Sequence, residues 1–99
     1  MIEFDPVKDA RNIAERGISL AAAETLFVGF VLERIDARRE YGETRVFAIG
    51  EIDGREFVCV YTRRSEATRI ISLRPANRKE RNAYRAAKAA REEAEAGRK

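Results

Sequence analysis

The spacing of apolar side chains along the chain changes several times, and each change marks an element. Ile2 and Phe4 alternate with polar neighbours, which predicts a short opening strand. Asp5-Pro6 then supplies a helix N-cap followed by proline at the first helical position, and Gly17 is a natural C′ residue. Between them Val7, Ala10, Ile13, Ala14 and Gly17 form a stripe at helical spacing, expected to face the core. Lys8, Asn12 and Arg16 recur every fourth residue and define a more polar face. Ser19 can cap a second short helix through about Phe27, with Leu20, Ala23 and Phe27 inward.

Beyond Phe27 the period shortens to two. Phe30–Ile35 reads as a strand, followed by a charged loop over Asp36–Glu43. Thr44–Ile49 and Glu56–Thr62 read as a hairpin joined through Asp53-Gly54. Phe57, Cys59 and Tyr61 alternate with Val58 and Val60, so the second of these strands is apolar on both faces. Such a strand belongs in the middle of a sheet covered on both sides. A last strand spans about Thr68–Leu73, and Pro75 stops it. Asn77 with Glu80 three residues later forms a capping-box pattern, opening a helix to about Ala96 that Gly97 ends. Its apolar residues are nearly all alanine, with Tyr84 the one large anchor. The order predicts an α+β fold in a single compact domain: strand, two helices, an antiparallel meander of about four strands, and a C-terminal helix. The domain is expected to cover residues 1–90. Residues 91–99 are read as a polar helix end that frays or meets a partner.

Composition narrows the chemistry. The chain has 99 residues, 44% apolar and 37% charged, with one cysteine, no tryptophan and no histidine. That length supports one core. No apolar run approaches the ~20 residues that span a bilayer, and no signal segment is visible. Membrane attachment is therefore not expected, and the single Cys59 fits a reducing cytoplasmic setting. Absence of histidine removes serine triads, Cys-His pairs and the commonest metal ligand. The carboxylates show no ligand spacing, so neither a metal nor a cofactor is expected.

The formal net charge of +3 conceals an asymmetry. Residues 1–33 are mainly acidic, whereas Arg63, Arg64, Arg69, Arg74, Arg78, Lys79, Arg81 and Arg85 are set against only Glu66 and Glu80. All but one of these cations are arginine, the residue suited to bidentate phosphate contacts. The segment is either the footprint of a polyanion or acidic partner, or a solvated charged face.

Phe4-Asp5-Pro6-Val7-Lys8, Asn12 and Gly17-Ile18 resemble the opening of BrnT-type toxins. So do Tyr61-Thr62-Arg63, Arg69-Ile70-Ile71-Ser72-Leu73-Arg74, and then Ala76, Arg78, Glu80-Arg81 and Tyr84. The resemblance implies a RelE-like fold and a ribonuclease toxin of a bacterial type II toxin–antitoxin module, blocking translation and arresting growth. It also implies a BrnA-type antitoxin that neutralises the toxin in a heterotetramer formed through antitoxin dimerisation. Operator DNA would be contacted only through the antitoxin. Many members carry Lys-His-Gly where this chain has Glu15-Arg16-Gly17. Arginine keeps the charge but cannot act as a base. Two readings follow: an endoribonuclease that tolerates Arg16, or a catalytically weak binding module kept for antitoxin binding and repression.

RNA cleavage needs a proton taken from the 2′-hydroxyl, a proton delivered to the leaving oxygen, and positive charge against the phosphorane. For the scissile phosphate the candidates are Arg63 and Arg74, and for proton transfer Lys8, Glu80 and Tyr84. Arg16, Arg78, Arg81 and Tyr61 are candidates for RNA contacts. Each has a plainer role available: Lys8 as a surface lysine, Glu80 as a capping carboxylate, Tyr84 as a helix anchor. In a regular strand Arg69 and Arg74 point to opposite faces, and only a bulge or a strand end would bring them together. Arg69 would otherwise be structural, paired with a carboxylate such as Glu33 or Glu51.

Overall fold

The computed structural model describes residues 1–37 and 42–98. The elements are β1 (Ile2–Glu3), α1 (Pro6–Arg16), a 3₁₀ turn (Leu20–Ala22) and α2 (Ala23–Leu26), followed by β2 (Leu32–Ile35), β3 (Arg45–Ile52), β4 (Arg55–Arg64), β5 (Ala67–Pro75) and α3 (Arg78–Ala96). This is the expected α+β order. Part of the predicted Asp36–Glu43 loop, residues 38–41, lies outside the described residues. The five strands form one sheet in the order β1-β5-β4-β3-β2, antiparallel except that β1 runs parallel to β5.

Local chemistry accounts for the boundaries. The Asp5 carboxylate accepts from Val7 N–H, and Gly17 closes α1 at φ 72° by donating to Ile13 C=O. The two-residue β3–β4 turn places both Asp53 and Gly54 at positive φ, the hairpin geometry that Asp-Gly favours. Asn77 and Glu80 complete a reciprocal capping box at the start of α3. The helix continues without a break to Ala96. At Gly50 an added Cβ would come within 2.8 Å of Leu26, so the small residue lets α2 settle on β3.

The sheet is covered on both faces, as the two-sided apolar pattern of β4 predicts. On one face Ala48, Phe57, Cys59, Tyr61, Ile70 and Leu73 pack with Leu20, Ala23 and Leu26. On the other, Phe47, Ile49, Val58 and Val60 pack with Ala76 and Tyr84. Cys59 is completely buried and its thiol is pushed up to about 12, first by burial and then by the charge of Glu33. It is a small core residue, not a reactive thiol.

Helix α1 corrects the expected polarity. Val7 is 67% and Ile13 48% exposed, and Ala10 and Ala14 are exposed as well. The helix docks instead by the edge that carries Asn12, the sole buried residue of α1. Its amide nitrogen donates to the carbonyls of Ile18 and Leu73, each at 2.9 Å. On the same side the Asp9 carboxylate accepts from Ser19 Oγ and Leu20 N–H. Backbone groups that must be satisfied at the α1–turn junction outweigh burial of a modest Val/Ile/Ala stripe.

Candidate nucleic-acid interface

Strand parity decides which cations share a face, and one irregularity in β5 changes the outcome. Tyr61 pairs with Ile70 while Val60 pairs with Ser72, so Ile71 is an extra residue in β5. Ile70 and Leu73, three apart, consequently both enter the core on the α2 side. Arg69 pairs with Thr62, Ser72 with Val60 and Arg74 with Val58, which sets these three β5 side chains on the α3 side together. The exception foreseen for Arg69 and Arg74 is the arrangement adopted. Arg69 remains near a carboxylate, but that of Glu3 at 3.9 Å, not Glu33 or Glu51. Those two are engaged elsewhere, Glu33 by the Tyr61 hydroxyl and Glu51 by Lys88.

The same register separates Arg63 from Arg74. Arg63 pairs with Thr68 and follows the parity of Tyr61, so it projects from the opposite face of the sheet. The two arginines do not converge on one phosphate. Arg63 lies beside Tyr61, Glu33 and Glu24 in a shallow depression of the α2 layer. Tyr61 there stacks edge-on against Phe27 and donates to Glu33. Burial, and then Glu33, push its hydroxyl up to about 12.

On the α3 side, β2 and β3 bring Arg34 opposite Phe47. The Arg34 guanidinium lies 4.6 Å from the centre of that ring, and Arg74 lies 6.0 Å from it. Arg74 Nη1 and Nη2 each donate to an oxygen of Glu80 at 2.8 Å, and Asn77 N–H donates to the same carboxylate at 2.8 Å. The Arg74 guanidinium, assisted by the Asn77 amide, holds the Glu80 carboxyl below the usual carboxylate range despite partial burial. Glu80 is therefore an ionised and weak proton acceptor whose geometry fixes Arg74.

Two adjoining clefts meet at Arg34, Phe47 and Glu80. One, of about 520 Å³, is completed by Asp36 and Arg74. The other, of about 300 Å³, is completed by Leu32, Glu33, Ile49, Asn77, Lys79 and Ala83.

The remaining candidates are placed elsewhere. Tyr84 is 1% exposed, its hydroxyl 3.0 Å from Phe30 C=O and 3.1 Å from Glu51 Oε1. Burial and then Glu51 push it up to about 12, and the buried ring anchors α3 on the sheet. Lys8 and Arg16 are exposed on α1, which docks with the α2 layer. Arg81 is turned back to donate to Ala76 C=O at 2.8 Å, and Arg78 is exposed; neither lines the two clefts. Lys79 is the basic residue that α3 contributes there.

Arg34 and Phe47 were not among the residues that the sequence singled out, and Lys79 was named only as part of the basic segment. A signal exists for Arg34: two residues after Leu32, it shares that residue's face of β2. Its pairing with Phe47 depends on β2–β3 register across a loop whose turn chemistry does not fix it. Among the described residues no group of three or more Asp, Glu or Cys side chains is gathered to hold a metal ion.

Fold and surface together define a small basic α+β domain with guanidinium groups gathered against one face of its sheet. The chain belongs to the ribonuclease toxins, BrnT, of type II toxin–antitoxin systems: the model of that family matches residues 4–80. No curated protein gives a match. Membership brings with it an antitoxin partner, and no helix among the described residues is long and apolar enough to cross a membrane.

Proposed function

We propose that the chain is an endoribonuclease whose substrate lies across the α3 side of the sheet, with Arg74 against the scissile phosphate. The observation that carries this reading is the Arg74–Glu80 pair beside Arg34. One guanidinium is oriented in advance by a bidentate carboxylate, and a second makes no ion pair among the described residues. Donors fixed before the reaction stabilise developing negative charge on a phosphorane without reorganising. Holding the 2′-oxygen in line with the phosphate supplies a further part of the rate.

The reaction requires no metal in this account. Three carboxylates on this side of the sheet are engaged by cations, Glu80 by Arg74, Glu51 by Lys88 and Glu56 by Arg85. Arg16 stands at the end of α1, in the layer across the sheet from Arg74, so replacement of the family's histidine leaves this face intact. That placement supports the enzyme reading over a purely binding role. The partner is a BrnA-type antitoxin whose own dimerisation yields a heterotetramer, and the complex represses its operon. Cleaved RNA stops translation and growth in the cytoplasm.

Expression of the chain alone and with its neighbouring antitoxin, followed by growth and by the integrity of total RNA, tests the reading. Arrest with RNA loss, relieved by the antitoxin, is expected. Intact RNA in cells holding folded protein that binds the antitoxin would leave the binding role.

A further inference from the structure

The smaller cleft has a composition that phosphate binding does not explain. Leu32, Phe47 and Ile49 from the sheet and Ala83 of α3 give it an apolar lining, bordered by Glu33, Arg34, Asn77, Lys79 and Glu80. At about 300 Å³ it lies at the lower end of the ~300–1,000 Å³ range of small-ligand sites. It adjoins the Arg74 cleft across Arg34, whose guanidinium plane lies over Phe47. An apolar slot beside an arginine plane, one step from a phosphate site, suits a planar ring turned out of a single strand.

We propose that this cleft is a nucleobase subsite, taking a base next to the phosphate held by Arg74, with Arg34 as its stacking partner. The inference rests on the reading of this face as an RNA site, and adds which part of the nucleotide the apolar slot receives.

The rim sets the kind of base. Asn77 Oδ1 accepts from Glu80 N–H, and both Glu80 oxygens are taken by Arg74 and the Asn77 amide. Each of these acceptors is already engaged by the helix cap or the arginine, and the Glu33 carboxylate, whose residue also borders the cleft, accepts from the Tyr61 hydroxyl. Asn77 Nδ2 and the Lys79 ammonium have no partner among the described residues and remain as donors. A rim whose unengaged groups are donors favours a base edge with a carbonyl over one with an exocyclic amine. Between pyrimidines, which fill the slot alike and share a C2 carbonyl, the C4 carbonyl of uracil is favoured over the C4 amine of cytosine.

The test uses the full chain with 2′-O-methyl oligo(U) and oligo(C) of equal length, which cannot be cleaved, and inorganic polyphosphate as a polyanion without bases. Two variants alter the slot and leave the fold. Ala83→Leu fills it from an exposed helical position, and Asn77→Ser keeps a good N-cap while removing the amide donors. Wild type is expected to bind oligo(U) more tightly than oligo(C). Ala83→Leu should weaken oligo(U) binding roughly 10-fold, the loss of one stacked base, with polyphosphate affinity unchanged. Asn77→Ser should abolish the preference for uracil. Oligo(U) binding by Ala83→Leu as tight as by wild type overturns the subsite and leaves the RNA reading in place. A wild-type protein that binds polyphosphate and the two oligomers alike, or none of them, overturns the RNA reading as well.

Discussion

Arg74 and Glu80 face each other through two parallel hydrogen bonds of 2.8 Å, one from each terminal nitrogen of the guanidinium. The pair links the end of β5 to the first turn of α3, and Glu80 also completes the capping box with Asn77. Glu80→Gln separates these two tasks, because glutamine at this position can still close the box. With Arg74 a third exposed, the lost charge is expected to cost only about 1 kcal/mol in chemical denaturation. RNA cleavage should suffer more than stability does, since Arg74 loses its fixed orientation. A variant as active as wild type would show that the carboxylate does not position the arginine.

Salt dependence separates the two faces of the sheet. A cation that contacts a phosphate of single-stranded RNA contributes roughly 0.7 to the slope of log K against log salt. Arg74→Gln and Arg34→Gln should each lower that slope by about this amount. Arg63→Gln, on the opposite face, should leave it unchanged. Binding isotherms over a salt series measure all three.

Stability should fall at both ends of the pH scale, for different groups. Glu51, Glu56 and Glu80 are held below the usual range chiefly by hydrogen bonds from Lys88, Arg85 and Arg74 respectively. A lowered carboxylate contributes stability above its unfolded value of about 4.3, and that contribution is lost as pH falls through the folded value. Each of these cations tethers a strand to α3, or α3 to a strand, so acid should loosen that helix first. Tyr61 and Tyr84 are pushed up to about 12. Their contribution is complete below the free phenol value of about 10 and disappears as pH rises towards 12. Thermal melts from pH 3 to 7, and phenolate absorbance with melts above pH 9, check the two limbs.

In α1 the polar residue should matter more than its apolar neighbours. Asn12→Ala leaves the carbonyls of Ile18 and Leu73 without their donor, at an expected cost of about 1–3 kcal/mol. Val7→Glu and Ile13→Glu alter exposed positions and should stay within about 0.5 kcal/mol of wild type. Denaturant midpoints for the three variants suffice.

Much of the fold was legible because its signals are local. Asp5-Pro6, Gly17, Asp53-Gly54 and the Asn77/Glu80 box each specify a backbone turn or cap through their own chemistry, and each is found in that role. The two-sided apolar pattern of β4 likewise places it in the middle of the sheet. What was not legible depends on pairing between distant segments. The extra residue at Ile71 moves Arg69 to the face of Arg74, and nothing in the Thr68–Leu73 alternation announces it. Arg34 reaches Phe47 only through the β2–β3 register. The stripe on α1 misleads for the opposite reason: its periodicity is real, but two side-chain hydrogen bonds from Asn12 decide which edge docks.

Cleavage of a defined RNA by wild type, Arg74→Ala and Arg63→Ala tests directly which sheet face carries the chemistry. Loss of one preorganised donor should lower kcat by about 10²–10³ in Arg74→Ala, whereas Arg63→Ala should cleave as wild type does. Full activity in Arg74→Ala, with activity lost in Arg63→Ala, would contradict the account and move the site to the α2 side of the sheet.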